Sequence, residues 1–319
     1  MALSQEEFSV SSESVMSIQE LMKHPNFTIP KSYIVEPPAV SQCYLSLPSI
    51  DMNRFAFVVE FHLQLQELDS VCKQWGIFQL VNHGVSSEQL EKMRYELEAF
   101  NKLPLEEKMK RKPYLFPQLP SSLRETLEVY SLEMQKLSMR LLGLMAKALK
   151  IDEKELETFG DGVQAIGMLY YPPCPKPELV IGITHSDACG ITILNQINGV
   201  DGLQIKKDGI WFPVTFLPSA LVVNIGDILQ ILSNGVYHSV EHRAAINSEK
   251  ERMSIRFFML PKFEAEIAPS PSLLNPQNPP LYRREGMEQY STGFIAGKLN
   301  GKTMLEHLRI EHMEKPIED

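Results

Sequence analysis

The sequence is poor in cysteine and has no long hydrophobic run. Its four cysteines are scattered through 319 residues without a Cys-x-x-Cys pair, which argues against a disulfide framework and against a zinc–thiolate site. No apolar run reaches the roughly 18 residues of a membrane-spanning helix, and the N-terminal residues lack the apolar core of a signal peptide. We therefore expect a cytoplasmic protein with no membrane partner.

A basic excess, internal repeats and low-complexity tracts are also absent. Lysine and arginine number 31 against 40 acidic residues, so the formal net charge is −9. Because phosphate binding needs a basic face, we do not expect nucleic acid as a partner. Apolar residues at 44% and charged residues at 22% are typical of a globular protein. No zipper pattern is evident, and we expect a monomer.

Helical patterns dominate the first half of the chain. Ser86 with Gln89, and Ser122 with Glu125, resemble capping boxes that open helices. After Ser122, apolar residues recur at alternating steps of four and three as far as Leu144, which favours a helix face packed on a core over a partner-binding face. The predicted helices cover residues 16–23, 62–75 and 86–101, and the long segment from residue 122.

Short strand-like runs separated by turns follow residue 163. Lys207-Asp208-Gly209 and Ser233-Asn234-Gly235 have the composition of hairpin turns. Such a series of short strands predicts a β-sandwich or jelly roll, and a helical pattern returns over residues 286–313. The predicted strands cover residues 77–81 in the first half and then 166–171, 191–197, 203–206, 211–214, 220–224, 228–231, 236–245 and 253–260.

His185-Ser186-Asp187 is the first candidate site. On a strand, residues i and i+2 share a face, so an imidazole nitrogen and a carboxylate oxygen would point to one place. His242 is far enough along the chain to return on a neighbouring strand and supply a second imidazole. Two histidines and one carboxylate form a facial triad that leaves coordination positions open and suits Fe(II).

Two alternatives to this interpretation remain open from the residues alone. A single His-x-Asp pair is a weak signal, because surface pairs of this kind are common. His238 lies four residues before His242, a spacing that on a helix would suggest zinc. The sequence around His238 is typical of a strand, where it would share a face with His242 and compete with it as a ligand.

Arg252-Met253-Ser254 is the second candidate site. The two polar side chains would share one strand face. A guanidinium can hold a carboxylate through two parallel hydrogen bonds, and the hydroxyl adds another donor. This pair could grip the distal end of a dicarboxylate whose 2-oxoacid end chelates a metal, although a surface salt bridge is the alternative for Arg252 taken alone.

Taken together, these motifs resemble the plant iron(II)/2-oxoglutarate-dependent dioxygenases. Within that family, the sequence is most similar to the senescence-related, norcoclaurine-synthase-like and codeine/thebaine O-demethylase-like group, from about residue 15 to the end. The motifs that carry the resemblance are Trp75–Gly84, Tyr170-Tyr171-Pro172-Pro173-Cys174-Pro175, His185-Ser186-Asp187, Leu203-Gln204-Ile205, Asn224-Ile225-Gly226-Asp227, Ser233-Asn234-Gly235, the segment Ser239–Arg243 and Glu251–Ile255.

The resemblance implies a mixed α and β fold with a double-stranded β-helix (jelly roll) core, flanking helices and a helical N-terminal region. It implies His185, Asp187 and His242 as iron ligands. Arg252, Ser254 and Tyr171 would bind 2-oxoglutarate, with dioxygen as cosubstrate and ascorbate as a supportive reductant. The implied organisation is an N-terminal dioxygenase region (1–125), a linking core helix (126–162), the Fe(II)/2-oxoglutarate β domain (163–262) and a C-terminal helical tail (263–319).

The activity implied is oxygenation of a small aromatic plant specialised metabolite. 2-Oxoglutarate would be converted to succinate and carbon dioxide while the substrate is hydroxylated, and a hydroxylated methoxy carbon would leave as formaldehyde. The alternative is a folded but catalytically weak or inactive homologue, such as a truncated or splice-variant product, that acts as a binding protein.

Four departures from the family pattern motivate that alternative. About 40 residues are missing between Lys108 and Arg111, a region that usually walls the substrate pocket. The run before His185 is one residue short, which could shift strand faces. Leu169 replaces a usual asparagine, and Arg256 replaces a usual small residue on the strand face of Arg252.

Overall fold

The computed structural model describes residues 40–110, 116–174, 184–296 and 303–310. The helix predicted over residues 16–23 lies outside these ranges. Gly182 and Ile183, in the shortened run before His185, also lie outside them, as does Arg111 at the proposed deletion. No helix within the described ranges is both long enough and apolar enough to cross a bilayer.

Helices cover the N-terminal half, as the apolar spacing predicts. The first helix begins at Val58, earlier than predicted; Leu68, Val71 and Cys72 of its stripe are buried, but Leu63 is 58% exposed. The helices are α1 (Val58–Gln74), α2 (Ser87–Lys102), α3 (Leu105–Lys110), α4 (Ser121–Leu149), α5 (Glu157–Gly160), α6 (Asp227–Leu232), α7 (Met287–Ala296) and α8 (Thr303–Leu308).

The long helix α4 packs on the core, as its spacing predicts, but its expected cap is wrong. Pro120 occupies the N-cap position, and the Ser122 hydroxyl instead donates to Glu96 at 2.9 Å. The first capping box is confirmed, because the Ser86 hydroxyl accepts from the Gln89 amide at 3.1 Å. All the apolar positions that define the α4 face are buried: Leu123, Leu127, Tyr130, Met134, Leu137, Leu141 and Leu144.

The β region contains two facing sheets and a separate two-stranded sheet formed by β11 and β12. The larger sheet has the strand order β2-β3-β8-β5-β10-β4, and the smaller has the order β1-β7-β6-β9. The strands are β1 (Leu45–Ser46), β2 (Ser49–Asp51), β3 (Ile77–Val81), β4 (Gln164–Tyr171), β5 (Ile191–Gln196), β6 (Leu203–Lys207), β7 (Ile210–Thr215), β8 (Leu221–Ile225), β9 (His242–Ala244), β10 (Arg252–Met259), β11 (Glu266–Ile267) and β12 (Glu285–Gly286).

Alternation along the central strands separates a helix-facing core from the interior between the sheets. Ile191 and Ile193 of β5 belong to the main apolar cluster with the helices, whereas Leu194 packs between the sheets against Leu203 and Val222. This inside–outside alternation is the expected pattern of a sheet buried on both faces. The architecture is the predicted double-stranded β-helix with flanking helices.

Two of the predicted strands are wrong in part or in full. Residues 228–231 lie in helix α6, because a short apolar run does not distinguish a buried strand from a buried helical turn. In the predicted strand 236–245, only β9 is extended in a ladder. The remainder bends, so that Tyr237 and Val240 are buried while His238 is exposed.

Only one of the two predicted hairpin turns joins two strands. Asp208 and Gly209 have positive φ angles of 50° and 79° and connect β6 to β7, as a two-residue hairpin turn requires. Ser233-Asn234-Gly235 instead closes helix α6, where the Gly235 amide donates to the carbonyl of Gln230 at 2.8 Å. Positive φ at Asn234 and Gly235 ends that helix.

Candidate metal centre and cosubstrate site

The two candidate histidines lie opposite each other on neighbouring backbone segments. His185 and His242 form an antiparallel bridge and exchange both backbone hydrogen bonds, at 3.1 and 2.9 Å. Their ring centroids are 4.5 Å apart. The backbone pairing therefore fixes the separation of the two imidazoles.

Asp187 completes the cluster from the loop that follows His185. Its Oδ1 atom is 3.7 Å from Nε2 of His185 and 3.6 Å from Nε2 of His242. The ligand atoms of the three residues all lie within 4.8 Å of one another. The predicted grouping is therefore formed, although His185 forms only an isolated bridge and Asp187 is outside any strand.

The atoms of this cluster that do not face its centre are held by hydrogen bonds. Oδ2 of Asp187 accepts from the Thr192 hydroxyl at 2.7 Å and from the Asn224 amide at 3.4 Å. Nδ1 of His242 lies 3.2 Å from the carbonyl oxygen of Val240. A proton on Nδ1 satisfies that carbonyl and leaves the Nε2 lone pair for a metal, the usual outer-shell arrangement.

The surroundings of Asp187 favour the ionised form of its carboxyl group. Burial alone would raise its pKa, but the imidazoles of His242 and His185, the Thr192 hydroxyl and the Arg256 guanidinium together hold the pKa below its ordinary value. An ionised carboxylate is the form that binds a metal.

The start of helix α6 anchors the loop that carries Asp187. The Asp227 amide donates to the Asp187 carbonyl at 2.8 Å, and the Ile228 amide donates to the Cys189 carbonyl at 3.0 Å. A β-carbon on Gly226 would lie 2.1 Å from the Cys189 carbonyl oxygen, so only glycine permits this approach. The helix at 227–232, predicted as a strand, thus fixes the position of a candidate ligand.

His238 does not join the cluster. Its side chain is exposed, and its backbone amide donates to the carbonyl of Cys72 on α1 at 3.1 Å. Among the described residues, only His185, Asp187 and His242 form a group of potential ligands. The competition between His238 and His242 is therefore resolved in favour of His242.

The donor set fits Fe(II). Two imidazole nitrogens and one carboxylate oxygen converge from one side, which is the facial arrangement used by non-haem Fe(II) oxygenases. The carboxylate of Asp187 is 4% exposed, and its second oxygen is already engaged by protein donors. A single ion between the three groups would satisfy their remaining lone pairs.

Arg252 and Ser254 lie on the inner face of β10 beside the metal cluster. Arg252 is 2% exposed; its Nη1 lies 3.4 Å from the Ser254 hydroxyl, and its guanidinium carbon lies 5.5 Å from the Tyr171 ring centroid. Tyr171 pairs directly with Arg252 across β4 and β10. The three predicted cosubstrate residues are therefore brought together.

The guanidinium of Arg252 is a buried cation with a free donor. Burial, with a smaller contribution from the charge of Arg256, lowers its pKa from the ordinary value. Its Nε atom is buried and has no hydrogen-bond acceptor in the part of the chain that the structure describes. A β-carbon on Gly202 would lie 2.6 Å from Cδ of Arg252, so this glycine provides the space that the side chain occupies.

A cavity of about 220 Å³ joins the metal cluster to this guanidinium. Leu169 also lines it, so the predicted replacement of a polar group near the cosubstrate falls on the cavity wall. A second, mostly apolar cavity of about 440 Å³ shares His185, Asp187 and Arg256 with the first as lining residues.

Thr192 and Asn224 are the site residues that the sequence interpretation did not assign. Both contact the carboxylate of Asp187 from the centre of the larger sheet, where they pair in register on β5 and β8. The available signal was a single polar residue inside each of two otherwise apolar runs, Ile191–Leu194 and Leu221–Ile225. A buried polar side chain needs a partner, and here the partner is the candidate metal ligand.

Comparison with known proteins agrees with this geometry. Residues 162–261 match the 2OG-Fe(II) oxygenase superfamily, and residues 47–119 match the N-terminal region described as non-haem dioxygenase in morphine synthesis. The crystal structure of JOX2 in complex with 2OG, Fe and JA is similar, with a TM-score of 0.81 and 33% identity over 92% of this chain and 97% of that one.

Curated relatives match along almost their whole length. Protein SRG1 of Arabidopsis thaliana is 41% identical over 94% of this chain and 98% of its own, and codeine O-demethylase of Papaver somniferum is 40% identical over 93% and 96%. The alignment with SRG1 spans 349 positions, more than the 319 residues of this chain, so that relative contains segments that this chain lacks. The chain therefore belongs to the 2OG-Fe(II) oxygenase superfamily, whose members are oxidoreductases that require Fe(II), 2-oxoglutarate and dioxygen.

Proposed function

We propose that this protein hydroxylates or O-demethylates an aromatic plant specialised metabolite and converts 2-oxoglutarate to succinate and carbon dioxide. The observation that carries the proposal is the position of His185 and Asp187, which line both the small polar cavity and the larger apolar one. A metal held there would face a cosubstrate on one side and an apolar substrate on the other.

Each site residue has a role in this proposal. His185, Asp187 and His242 hold the iron, with Thr192 and Asn224 fixing the orientation of the carboxylate. Arg252 and Ser254 bind the distal carboxylate of 2-oxoglutarate, and Tyr171 bounds the same end of the cavity. Iron bound in this way supplies the redox chemistry that activates dioxygen.

The overall reaction balances without another reductant. One oxygen atom of dioxygen enters succinate as 2-oxoglutarate loses carbon dioxide, and the other enters a substrate C–H bond as a hydroxyl group. When that carbon belongs to a methoxy group, the hydroxylated product releases formaldehyde and leaves a phenol. The protein positions the C–H bond and keeps bulk water out of the site.

The larger cavity has the size and lining of a small-molecule site. Its volume of about 440 Å³ lies within the range of ligand pockets. Aromatic side chains from β10, the segment after it and helix α7 line the cavity: Phe258, Phe263, Tyr290 and Phe294. Such rings suit a planar aromatic ligand. The names of three similar proteins refer to O-demethylation, of codeine, of thebaine and of the 7-position of flavonoids.

The test is a screen of methoxylated alkaloids, flavonoids and simple phenols with Fe(II), 2-oxoglutarate, dioxygen and ascorbate. We expect at least one substrate to give succinate in proportion to product, with formaldehyde if the reaction is demethylation. The His185→Ala variant should give none of these products. Succinate formation that no aromatic compound stimulates, or product formation without 2-oxoglutarate, would contradict the proposal.

The alternative of an inactive binding homologue gains no support from the site. The three candidate metal ligands lie together, and the Arg252 guanidinium lies beside the Ser254 hydroxyl. The monomeric state, the cytoplasmic location and the domain boundaries stay predictions.

A further inference from the structure

We propose that Arg256 binds a carboxylate on the substrate, so that the preferred substrates are aromatic acids rather than neutral aromatics. This inference rests on the proposed function, because it assigns an anionic group to the ligand of the apolar cavity. It assigns a specificity-determining role to a residue that is neither a candidate metal ligand nor part of the pair formed by Arg252 and Ser254.

Arg256 lies where the two cavities meet. It follows Arg252 and Ser254 on the inner face of β10, and it pairs with Gly167 of β4 on one side and Leu194 of β5 on the other. A β-carbon on Gly167 would lie 3.5 Å from Nε of Arg256, so the guanidinium lies directly over this glycine. It lines the wall of both cavities.

The charge of Arg256 acts on Asp187, a candidate metal ligand, but Arg256 forms no salt bridge within the described parts of the chain. Its Nε atom is buried without an acceptor among the described residues. The contact that orients the side chain is the ring of Phe258, whose centroid lies 5.3 Å from the guanidinium carbon. Arg256 is half-buried, and its Nε atom is shielded from water, so a pairing anion gains more here than at a fully exposed site.

The charges of the reaction components leave Arg256 available. Fe(II) is balanced by the Asp187 carboxylate and by the carboxylate at the 2-oxoacid end of the cosubstrate. Arg252 balances the distal carboxylate of 2-oxoglutarate. Arg243 also lines the small cavity, but its guanidinium stacks on the Trp211 ring and donates to Gln204. Arg256 is therefore the cation on this face of β10 that is left to pair with a further anion.

The surroundings of Arg256 indicate the chemical class of that anion. The cavity on its substrate side is mostly apolar, and Phe258 and Phe294 stand among its walls. A carboxylate paired with Arg256 would leave the rest of the ligand among aromatic rings. A planar guanidinium matches a carboxylate through two parallel hydrogen bonds. The fitting ligand is an aromatic ring system with one carboxylate at its edge.

The test compares acids with their neutral amides in a binding assay. Benzoate, cinnamate and 4-methoxycinnamate, each beside its primary amide, are titrated by calorimetry into anaerobic protein loaded with Mn(II) and 2-oxoglutarate. We expect at least one acid to bind about tenfold more tightly than its amide, the ratio of a charge-assisted contact. Arg256→Gln should remove this preference, whereas Arg256→Lys should keep part of it.

Two controls separate this role from simpler ones. Arg124→Gln removes a positive charge from helix α4, where the side chain donates to the Pro117 carbonyl, and it should keep the full preference. The 2-oxoglutarate affinity of Arg256→Gln, measured by the visible charge-transfer band with Fe(II), should change less than about twofold. Thermal denaturation confirms that each variant is folded, and Arg256→Lys still tests the charge if Arg256→Gln does not fold.

The outcomes distinguish this inference from the proposed function. Equal affinity for acids and amides in the unmodified protein, or no binding of any acid at about 1 mM, would overturn the role of Arg256 while leaving iron and 2-oxoglutarate binding intact. A large loss of 2-oxoglutarate affinity in Arg256→Gln would also overturn it, by assigning the guanidinium to the cosubstrate. Failure of the proposed function itself would instead appear as an absent charge-transfer band in the unmodified protein.

Discussion

The site has a metal side, formed by His185, Asp187 and His242, and an arginine side, formed by Arg252 and Arg256. The two sides differ in whether their polar atoms have hydrogen-bond partners within the protein. On the metal side, the second oxygen of Asp187 and the second nitrogen of His242 have protein partners. On the arginine side, the Nε atoms of both Arg252 and Arg256 are buried and have no acceptor among the described residues. The candidate metal ligands are therefore held in place by protein hydrogen bonds, whereas the arginine side keeps donors that an anionic ligand could satisfy.

This difference has an energetic consequence. A satisfied hydrogen-bond network holds ligands in place at little cost, but a buried cation without a partner destabilises the folded protein. Binding of a dicarboxylate should relieve that cost, so 2-oxoglutarate should stabilise the protein more than its contact area suggests. The following predictions test the two sides separately, from the largest effect to the smallest.

Removal of one metal ligand should have the largest effect. His242→Ala leaves one imidazole and one carboxylate, and we expect Fe(II) binding to be lost at micromolar metal concentrations. His238→Ala is the matched control, because His238 is exposed on the same segment and stands outside the ligand group. Equilibrium dialysis measures both variants; loss of iron in His238→Ala would reverse the assignment of the ligand.

Truncation of Arg252 should affect the arginine side alone. Loss of one partner of a buried charged pair costs about 2–5 kcal/mol, so Arg252→Ala should weaken 2-oxoglutarate binding by about 30-fold or more. Fe(II) affinity without cosubstrate should change little, because the triad does not contact this side chain directly. Titration of both ligands tests the separation, and equal losses of both would show that the two sides are not independent.

Loss of a hydrogen bond to Asp187 should lower the Fe(II) affinity by an intermediate amount. Thr192→Val removes the hydroxyl that donates to Asp187 at 2.7 Å, and such losses reduce metal affinity by about 10–100-fold. Thr215→Val, at the exposed end of β7, is the control for the same substitution. If both variants bind Fe(II) as the unmodified protein does, the hydrogen bond from Thr192 to Asp187 is not required for metal affinity.

Lowering the pH should produce the smallest effect, which is a change in the unfolding free energy of the metal-free protein. Because the pKa of Asp187 is lowered in the folded state, its ionised form contributes stability above the ordinary carboxyl pKa of 3.8, and that contribution is lost as the pH falls through the lower folded value. The difference in unfolding free energy between the unmodified protein and Asp187→Asn should therefore shrink in that range. Urea denaturation at several pH values measures it; a difference that grows with acid would mean that the folded pKa is raised.

Much of the fold was predictable because the spacing of apolar residues along the chain follows the pattern of buried side chains. The spacing of Leu123, Leu127 and Tyr130 identified the buried face of α4, and the sequence at Asp208-Gly209 identified a hairpin. The prediction of a strand at residues 228–231 is wrong because the apolar residues Ile228, Leu229 and Ile231 fit a strand and a buried helical turn equally well. Tertiary packing against the Asp187 loop decides that choice, and it is not encoded in local pattern.

The candidate site was predictable as far as residue types and spacing define chemistry. His185 and Asp187 were found by their i, i+2 spacing, although the expected strand geometry holds only at the isolated bridge of His185. Thr192 and Asn224 were missed because their role depends on strands that are distant in sequence. The choice between His238 and His242 also needed the structure, since a bend that no local signal marks exposes His238.

The most direct test of the account is an anaerobic titration of the metal-free protein with Fe(II) and then 2-oxoglutarate. We expect a visible metal-to-ligand charge-transfer band that disappears in His185→Ala, which removes a metal ligand, and weakens in Arg252→Ala, which removes the guanidinium that would hold 2-oxoglutarate. A folded protein that gives no band, or a band unchanged in His185→Ala, would contradict the claim that these residues form one iron and 2-oxoglutarate site.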